Sequence, residues 1–578
     1  MFKQYFENEL QRLREQASDF AKAHPATAPM LSGPTIDHGA ERLLEGVAFL
    51  TGILNQKLDN EFLDFIKELI EIIYPHFVKP IPSTSMVMFE HKLGNSAPII
   101  VKSGCLLNSN TIDGTSCQFQ TLIDTEINPV KLLSANAVQV NERISHLKLI
   151  LELNELNLDE WSPRLGLYFF LGGSYSSSTY IFMLLNHFLH RIIIKPESGD
   201  SEFILNPEDL KAFGLDIDNK LIDFPIQSFS AFRMIQEYFI LPQKFTLMAI
   251  TGFDKWIKQS KSNKFSIVFE LYDIPEELPR INKDTFIFNV IPVVNLFDYE
   301  MEPITLNHKS SKLILNPSPA NPNHYQVQDV KSVVGYKSGQ SLKRTYLPLT
   351  SFKNLKSGNP VYQLIRGRSI VTNAPEASLF IPIQENSSKL SEETLSIVLA
   401  CSNGKLTTKL KVGDICRASF NSPGMLNFSN IMQPTSPLEP PSNTENLRKF
   451  LSYLSMNFLS IINLQNIKEL LQLYISSDDT DKTRLATNLK RIEGITALSV
   501  SPMNSLFRGA MLLGQKIIME VDLNYFVSLG DVYLFGSIMN EFLSAYATMN
   551  LFTQFNLKEI NTGVSFKWKP KLGNRNLI

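Results

Sequence analysis

Apolar residues in the first 75 positions recur at the three-and-four spacing of an amphipathic helix. Phe2, Phe6, Leu10, Leu13, Ala17 and Phe20 fall on one face, and Glu7, Asn8, Gln11, Arg12, Arg14, Glu15 and Lys22 fill the others. His24-Pro25 closes this helix, because a residue before proline avoids the helical region. A second helix is predicted over 41–57, with Leu43, Leu44, Val47, Leu50, Leu54 and Leu58 as its stripe and Phe49 and Ile53 widening it. Asp59-Asn60 is expected to break that helix and cap a third, which carries Phe62, Phe65, Ile66, Leu69, Ile70 and Ile73 and stops at Tyr74-Pro75. Helices this short cannot bury so much apolar face among themselves. The pattern predicts that the rest of the chain, or another chain, covers them.

From Pro80 the period shortens. Runs at 85–90, 97–101, 118–123, 146–153 and 163–170 read as strands, with turns at Lys102-Ser-Gly104 and Ile112-Asp-Gly114. Residues 179–190 read as helix and 191–195 as strand. Short helices are expected at 206–212 and 230–239, and strands at 245–251, 265–272 and 286–294. Residues 310–432 continue as strand and turn. The four prolines between Pro434 and Pro441 predict an extended, semi-rigid spacer. Beyond it come helical stripes (Leu447, Phe450, Leu451, Leu454, Phe458, Leu459; then Ile467, Leu470, Leu471, Tyr474), a strand at 516–523, a helix over 535–550 and a polar tail. The expected fold class is α+β and multidomain: an N-terminal helical segment (1–78), β-rich regions with helical insertions (79–250 and 251–433), and a linker with a C-terminal α+β region (434–578).

Composition narrows the function classes. Charged residues make up 19% of the 578 positions, below the roughly 25% typical of globular chains, and there are 39 Phe. Two readings stay open: large surfaces buried against partners, or the codon usage of an AT-rich genome. A net charge of −2 and the lack of any basic run interleaved with aromatics argue against nucleic acid as a partner. The N-terminus has no apolar signal region. The most apolar stretch, 180–194, is interrupted by Asn186, His187, His190 and Arg191 and falls short of the ~18 residues of a membrane span. A cytoplasmic chain without membrane insertion is expected. Cys105, Cys117, Cys401 and Cys416 form no CxxC pair and are expected as reduced, packed thiols.

Candidate chemistry is thin. His187 and His190 have the spacing to share a helix face, but no Glu, Cys or carboxylate cluster completes a metal site, so a structural pair is the better reading. His76 and Asp37-His38 find no third member of a triad. Glu68/Glu71 and Asp478/Asp479 read as a solvated helix face and a polar loop. Gly172-Gly173-Ser174 lacks the lysine and glycines of a phosphate loop and reads as a β-turn. No catalytic, cofactor-binding or metal-ligating residue is assigned.

A colinear series of blocks resembles the TssF (VasA/ImpG) family. It begins with Tyr5-Phe6-Glu7-Asn8-Glu9-Leu10, Glu41-Arg42-Leu43-Leu44-Glu45-Gly46-Val47 and Tyr74-Pro75-His76-Phe77. Cys117-Gln118-Phe119-Gln120-Thr121 follows, with Gln120 where the family has arginine. Then come Phe232-Arg233-Met234-Ile235-Gln236-Glu237-Tyr238-Phe239 with Pro242-Gln243-Lys244-Phe245, and Pro292-Val293-Val294-Asn295-Leu296-Phe297. Past the spacer, Leu451-Ser452-Tyr453-Leu454, Phe507-Arg508-Gly509 and Phe542-Leu543-Ser544-Ala545-Tyr546 continue it.

The resemblance implies a non-enzymatic structural subunit of the type VI secretion baseplate wedge, without a cofactor. Two copies would pair with one TssG, which carries TssK. Six wedges would surround the VgrG hub, and TssE would join the assembly to the contractile sheath, docked at the inner-membrane complex. Within that frame Phe2, Phe6, Leu13 and Phe20 are the candidate partner interface, and Tyr238 and Phe239 are expected in the core. Rival readings are a wedge protein of a phage-like contractile tail, a β-rich hydrolase with dispersed carboxylates, and a peptide-binding adaptor.

Overall fold

The computed structural model describes residues 2–23, 38–92, 94, 97–197, 202–216, 219–221, 230–256, 261–275, 277–306, 312–318, 321–337, 343–349, 360–369, 375–382, 393–441, 444–455, 462–475, 479–507, 510–547 and 551–573. The chain divides into two units, one made of Met1–Val78 with Pro441–Ser452 and the other of Lys79–Pro440 with Tyr453–Ile578.

In the first unit, the helix Phe2–Ala23 packs against a single long helix, His38–Ile73. The break expected at Asp59-Asn60 does not occur. Asp and Asn each cost only about half a kcal/mol in a helix interior, and neither Pro nor a run of Gly is present to enforce a stop. The two helices run antiparallel: Arg14 pairs with Glu41 at 3.0 Å, and Asn55 donates to Glu9 at 2.9 Å. They approach closely at Gly52, where an added Cβ would lie 3.3 Å from the Phe6 amide nitrogen. The far end of the long helix is buried at Ile66 and Ile70. Beyond it Phe77 stacks on Phe450 with ring centroids 3.7 Å apart, and Tyr74 lies 5.4 Å from the same ring.

The second unit is built on antiparallel sheets. One takes the order 203–205, 189–196, 264–272, 144–153, 130–139, and its alternating Leu147, Leu149, Leu151, Phe265, Ile267 and Phe269 face the core. A six-stranded sheet places Thr84–His91 between Val290–Val294 and Leu426–Asn430. A small sheet pairs Leu167–Leu171 with Leu247–Ile250 and Phe286–Phe288. The expected boundary between 250 and 251 therefore runs through three sheets. A further sheet is centred on Gln326–Lys337 and Glu393–Ser402. The expected strand 286–294 is two strands in different sheets. Asn289 between them adopts φ +59, and its side chain bonds Asn128 on both the amide and the carbonyl.

The proline-rich stretch is packed rather than a free spacer. Leu438 is buried and bridges Ile81, and the Thr435 amide donates to Thr84 at 2.8 Å. The expected helix at 206–212 is one 3-10 turn, Pro207–Asp209, followed by the strand Leu210–Lys211.

The last sheet pairs Ile495–Phe507 with Ala510–Val521 antiparallel, and the latter with Phe552–Glu559 in parallel. A parallel pair needs a crossover. Here it is the helix Leu529–Tyr546, which starts a full turn and more before the expected Phe535 and is buried on every side. Ser528 caps it by accepting from Asp531 N. Gly530 allows it to cross the helix Tyr175–His187, since a Cβ there would collide with the Thr179–Tyr180 backbone. Among the described residues no helix is long and apolar enough to cross a membrane.

Candidate interaction surface

On the helix Phe2–Ala23, Phe6, Leu10, Leu13 and Ala17 are half-buried, and of the charged positions between them Glu7, Arg12, Arg14 and Glu15 are exposed while Glu9 is half-buried toward the long helix. This is the face laid toward the long helix, so Phe6 and Leu13 serve contacts within the chain. The side chains of Phe2 and Phe20 lie outside the described residues.

The uncovered apolar surface is on the long helix. Its half-buried or buried positions there are Glu41, Leu44, Ala48, Thr51, Gly52 and Asn55. One residue earlier in each turn, about 100° round the helix, stand Leu43 (72% exposed), Val47 (40%), Leu50 (67%) and Leu54 (60%), with Ile53 (44%) beside them. Glu45 is the one charged residue between Leu43 and Leu54. A helix face in water normally carries its charged residues there. The spacing of Leu43, Val47, Leu50 and Leu54, four then three then four, is the seam of a helix packed against other helices. The sequence contained this stripe. What it could not show is which of two amphipathic helices spends its apolar face on the other.

The second unit holds charge in its interior instead. Asp531 accepts from Arg491 Nε at 3.0 Å, Tyr175 Oη at 2.8 Å and Val527 N at 3.3 Å, and the Arg491 guanidinium lies 5.3 Å from the centres of the Tyr175 and Tyr238 rings. Burial, with the Asp531 carboxylate beside it, pushes the Tyr175 phenol well above its ordinary pKa, so it stays a donor. One turn and a loop away, Glu237 is fully buried with Lys244 on its Oε2, while its Oε1 accepts from Leu221 N at 2.8 Å. Burial lowers the Lys244 pKa and Glu237 opposes that shift. Asp479 and Arg484 form a bidentate pair at 2.8 Å on each arm. The Arg491–Asp531 pair joins the helices Lys482–Glu493 and Leu529–Tyr546, and the Tyr238 hydroxyl, donating to Asp531 at 3.4 Å, ties in Ser230–Ile240. Tyr238 and Phe239 are core residues.

The other expected sites disperse. His187 ends its helix and sits edge-on to Phe188 and Phe566, whereas His190 is on the next strand, so the two do not share a helix face. Gly172-Gly173-Ser174 is a strand-to-helix turn rather than a β-turn, with Ser174 capping the helix. Asp479 is a buried ion-pair member rather than part of a polar loop. Asp37, Asp478 and the His38 and His76 side chains lie outside the described residues. Cys105, Cys117 and Cys401 are buried, and burial pushes their thiols up to about 11, 11 and 12. Cys416 is exposed, contrary to the expectation of packing. Among the described residues no group of three or more His, Cys, Asp or Glu is placed to hold a metal ion.

The first unit thus leaves an apolar helical seam open to solvent, and the second holds ion pairs in its interior. The chain belongs to the TssF family of the type VI secretion system, whose model matches residues 1–575. It is 24% identical to the type VI secretion system component TssF1 of Pseudomonas aeruginosa, over 99% of this chain and 98% of that protein. Its fold is similar to a chain in a cryo-electron-microscopy structure of the type VI secretion TssK–TssF–TssG baseplate subcomplex, with a TM-score of 0.79, 24% identity, and coverage of 93% of this chain and 99% of that one. A chain in a structure of the type VI secretion baseplate complex matches with a TM-score of 0.61 and 23% identity, over the whole of both.

Proposed function

We propose that this chain is a non-enzymatic structural subunit of the type VI secretion baseplate wedge, and that Leu43, Val47, Leu50 and Leu54 are its main docking face. The observation that carries the docking assignment is the exposed apolar seam, interrupted by a single charge. Full burial of a leucine or valine contributes about 1.5–3 kcal/mol. The four positions, already partly covered, would contribute on the order of 5 kcal/mol before the cost of association. The occupant is helical, from TssG and from a second copy of this chain, in a unit of two copies to one TssG. TssK joins through TssG, TssE links to the sheath, and six such wedges surround the VgrG hub on the cytoplasmic side of the inner-membrane complex. The helix Phe2–Ala23, with Phe6 and Leu13, braces the long helix inside this bundle. Contraction is then a change between two discrete packings of the wedge ring.

Co-expression with the TssG of the same cell tests this. The unaltered chain is expected to co-purify at two copies per TssG. A Leu50→Asp, Leu54→Asp chain is expected to lose TssG while keeping its own fold, because both positions face water in the single chain. Retention of TssG by that variant removes the seam from the interface. An unaltered chain that never associates with TssG sinks the whole reading.

A further inference from the structure

The strand Ile495–Phe507 is thirteen residues long and lies at the edge of its sheet, paired among the described residues only with Ala510–Val521. On its other side, residues 496–507 make no backbone hydrogen bond among the described residues. Its sequence, Ile-Thr-Ala-Leu-Ser-Val-Ser-Pro-Met-Asn-Ser-Leu-Phe, contains no charged residue.

Exposed sheet edges are usually protected by being short, charged or bulged. The rest of this molecule follows that rule. The other long outermost strand, Val130–Gln139, carries Lys131 and a bulge between Leu132 and Ser134. The remaining outermost strands are five residues or shorter. The edge 495–507 has a bulge only at its start, between Ile495 and Ala497, and Pro502, which removes one N–H from the strand, and no charge along its length.

We infer that this edge pairs antiparallel with the same strand of a second copy, about a two-fold axis at Ser501. This goes beyond the helical docking proposed above by assigning a separate contact between copies. The occupant follows from the pattern. With the axis at the middle of the strand, Leu498 meets Asn504 and Val500 meets Pro502 on one face, while Ser499 meets Met503 and Ser501 meets itself on the other. No like charges oppose each other, so the strand is compatible with its own reverse. The hairpin continues into Met511 (76% exposed) and Leu513 (72%), which project on the same face as Val500 and extend the apolar surface. At about 3.4 Å per residue the shared edge is about 44 Å long, and with a layer about 10 Å thick it covers roughly 440 Å² per copy. That is below the ~800 Å² per partner of a standard stable interface. The pairing is therefore weak and concentration-dependent by itself, and is reinforced where other contacts hold two copies together.

Sedimentation equilibrium of the full chain, from about 1 to 200 µM, spans the range where such an interface reports. The unaltered chain is expected to pass from monomer to dimer. Ser501→Asp is expected to weaken the dimer at least tenfold. It places two carboxylates at the axis, yet faces Lys516 within its own hairpin, so the strand is preserved. Cross-linking then reads the register. In a Cys416→Ser background, Ser501→Cys is expected to form a disulfide-linked dimer on mild oxidation, and Ser505→Cys, which faces Ala497 across the axis, is not. A chain that stays monomeric throughout, a dimer unchanged by Ser501→Asp, or equal cross-linking from both positions overturns the inference. A dimer lost in Leu50→Asp but kept in Ser501→Asp also overturns it and leaves the helical reading standing.

Discussion

Asp531→Asn tests whether the buried ion pairs hold the second unit together. Asp531 and Arg491 have almost no exposed surface, and Asp531 receives hydrogen bonds from Arg491, Tyr175 and Val527. Replacing the carboxylate with an amide keeps the volume and one acceptor oxygen. It removes the charge that balances Arg491, and an amide N–H now faces donors. Breaking a buried pair by removing one partner costs about 3–5 kcal/mol, because an uncompensated charge stays inside. Arg491 cannot escape by losing its proton. The ring faces of Tyr175 and Tyr238 recover only a part, about 2 kcal/mol at most. The expected loss is therefore about 3 kcal/mol. The assay is urea unfolding followed by tryptophan fluorescence, since Trp161, Trp256 and Trp568 all lie in the second unit. Their signal reports that unit alone in a chain whose two units need not unfold together. A double variant, Arg491→Met with Asp531→Asn, is expected to recover most of the loss, because it removes the stranded charge and leaves the amide oxygen to accept from Tyr175. A single-variant loss below about 1 kcal/mol, or a double variant no better than the single, refutes the reasoning.

Other outcomes follow from packing. Gly530→Ala is expected to destabilise the second unit by about 1–3 kcal/mol, as overpacking does, because the added methyl meets the Thr179–Tyr180 backbone rather than a movable side chain; the same fluorescence transition measures it. A thiol reagent is expected to modify Cys416 promptly and Cys105, Cys117 and Cys401 only on unfolding. The buried thiols also set a pH dependence. Their folded pKa values lie above the ordinary 9.0, so their contribution is intact below pH 9 and is lost as pH rises toward 11–12. Unfolding midpoints are expected to fall over that window.

The helical N-terminus and most strands of the β-rich region are legible from period alone, because each is written in local alternation. The strand 144–153 and the helix 230–240 fall within one or two residues of their expected bounds. What period cannot show is pairing over long range. Tyr175 and Tyr238 reach Asp531 across 356 and 293 residues, and nothing local marks that Asp as buried. Nothing local marks Arg233, Glu237 and Lys244 as buried either, and the fold places them in the interior. The intrachain burial of Phe6 and Leu13 has a similar cause. Two amphipathic helices in one hairpin each offer a stripe, and the stripe with more charge between its apolar positions packed inward against its neighbour.

The low charge content has two readings, codon usage and surfaces buried against partners, and two charge-poor exposed segments favour the second. Codon usage acts on every position without regard to burial, so it would thin charge evenly. Exposed segments would then still carry at least the chain's average, because water-facing positions are where charge resides. At 19%, Leu43–Leu54 and Ile495–Phe507 together would carry about five charged residues. They carry one, Glu45, although the first presents Leu43, Leu50 and Leu54 largely to solvent and the second is a sheet edge without a second strand among the described residues. Charge is kept in the interior, at Asp531, Arg491, Glu237 and Lys244. Charge-poor segments at exposed positions are what the docking surfaces proposed above require, since interface cores exclude charge and favour large apolar side chains.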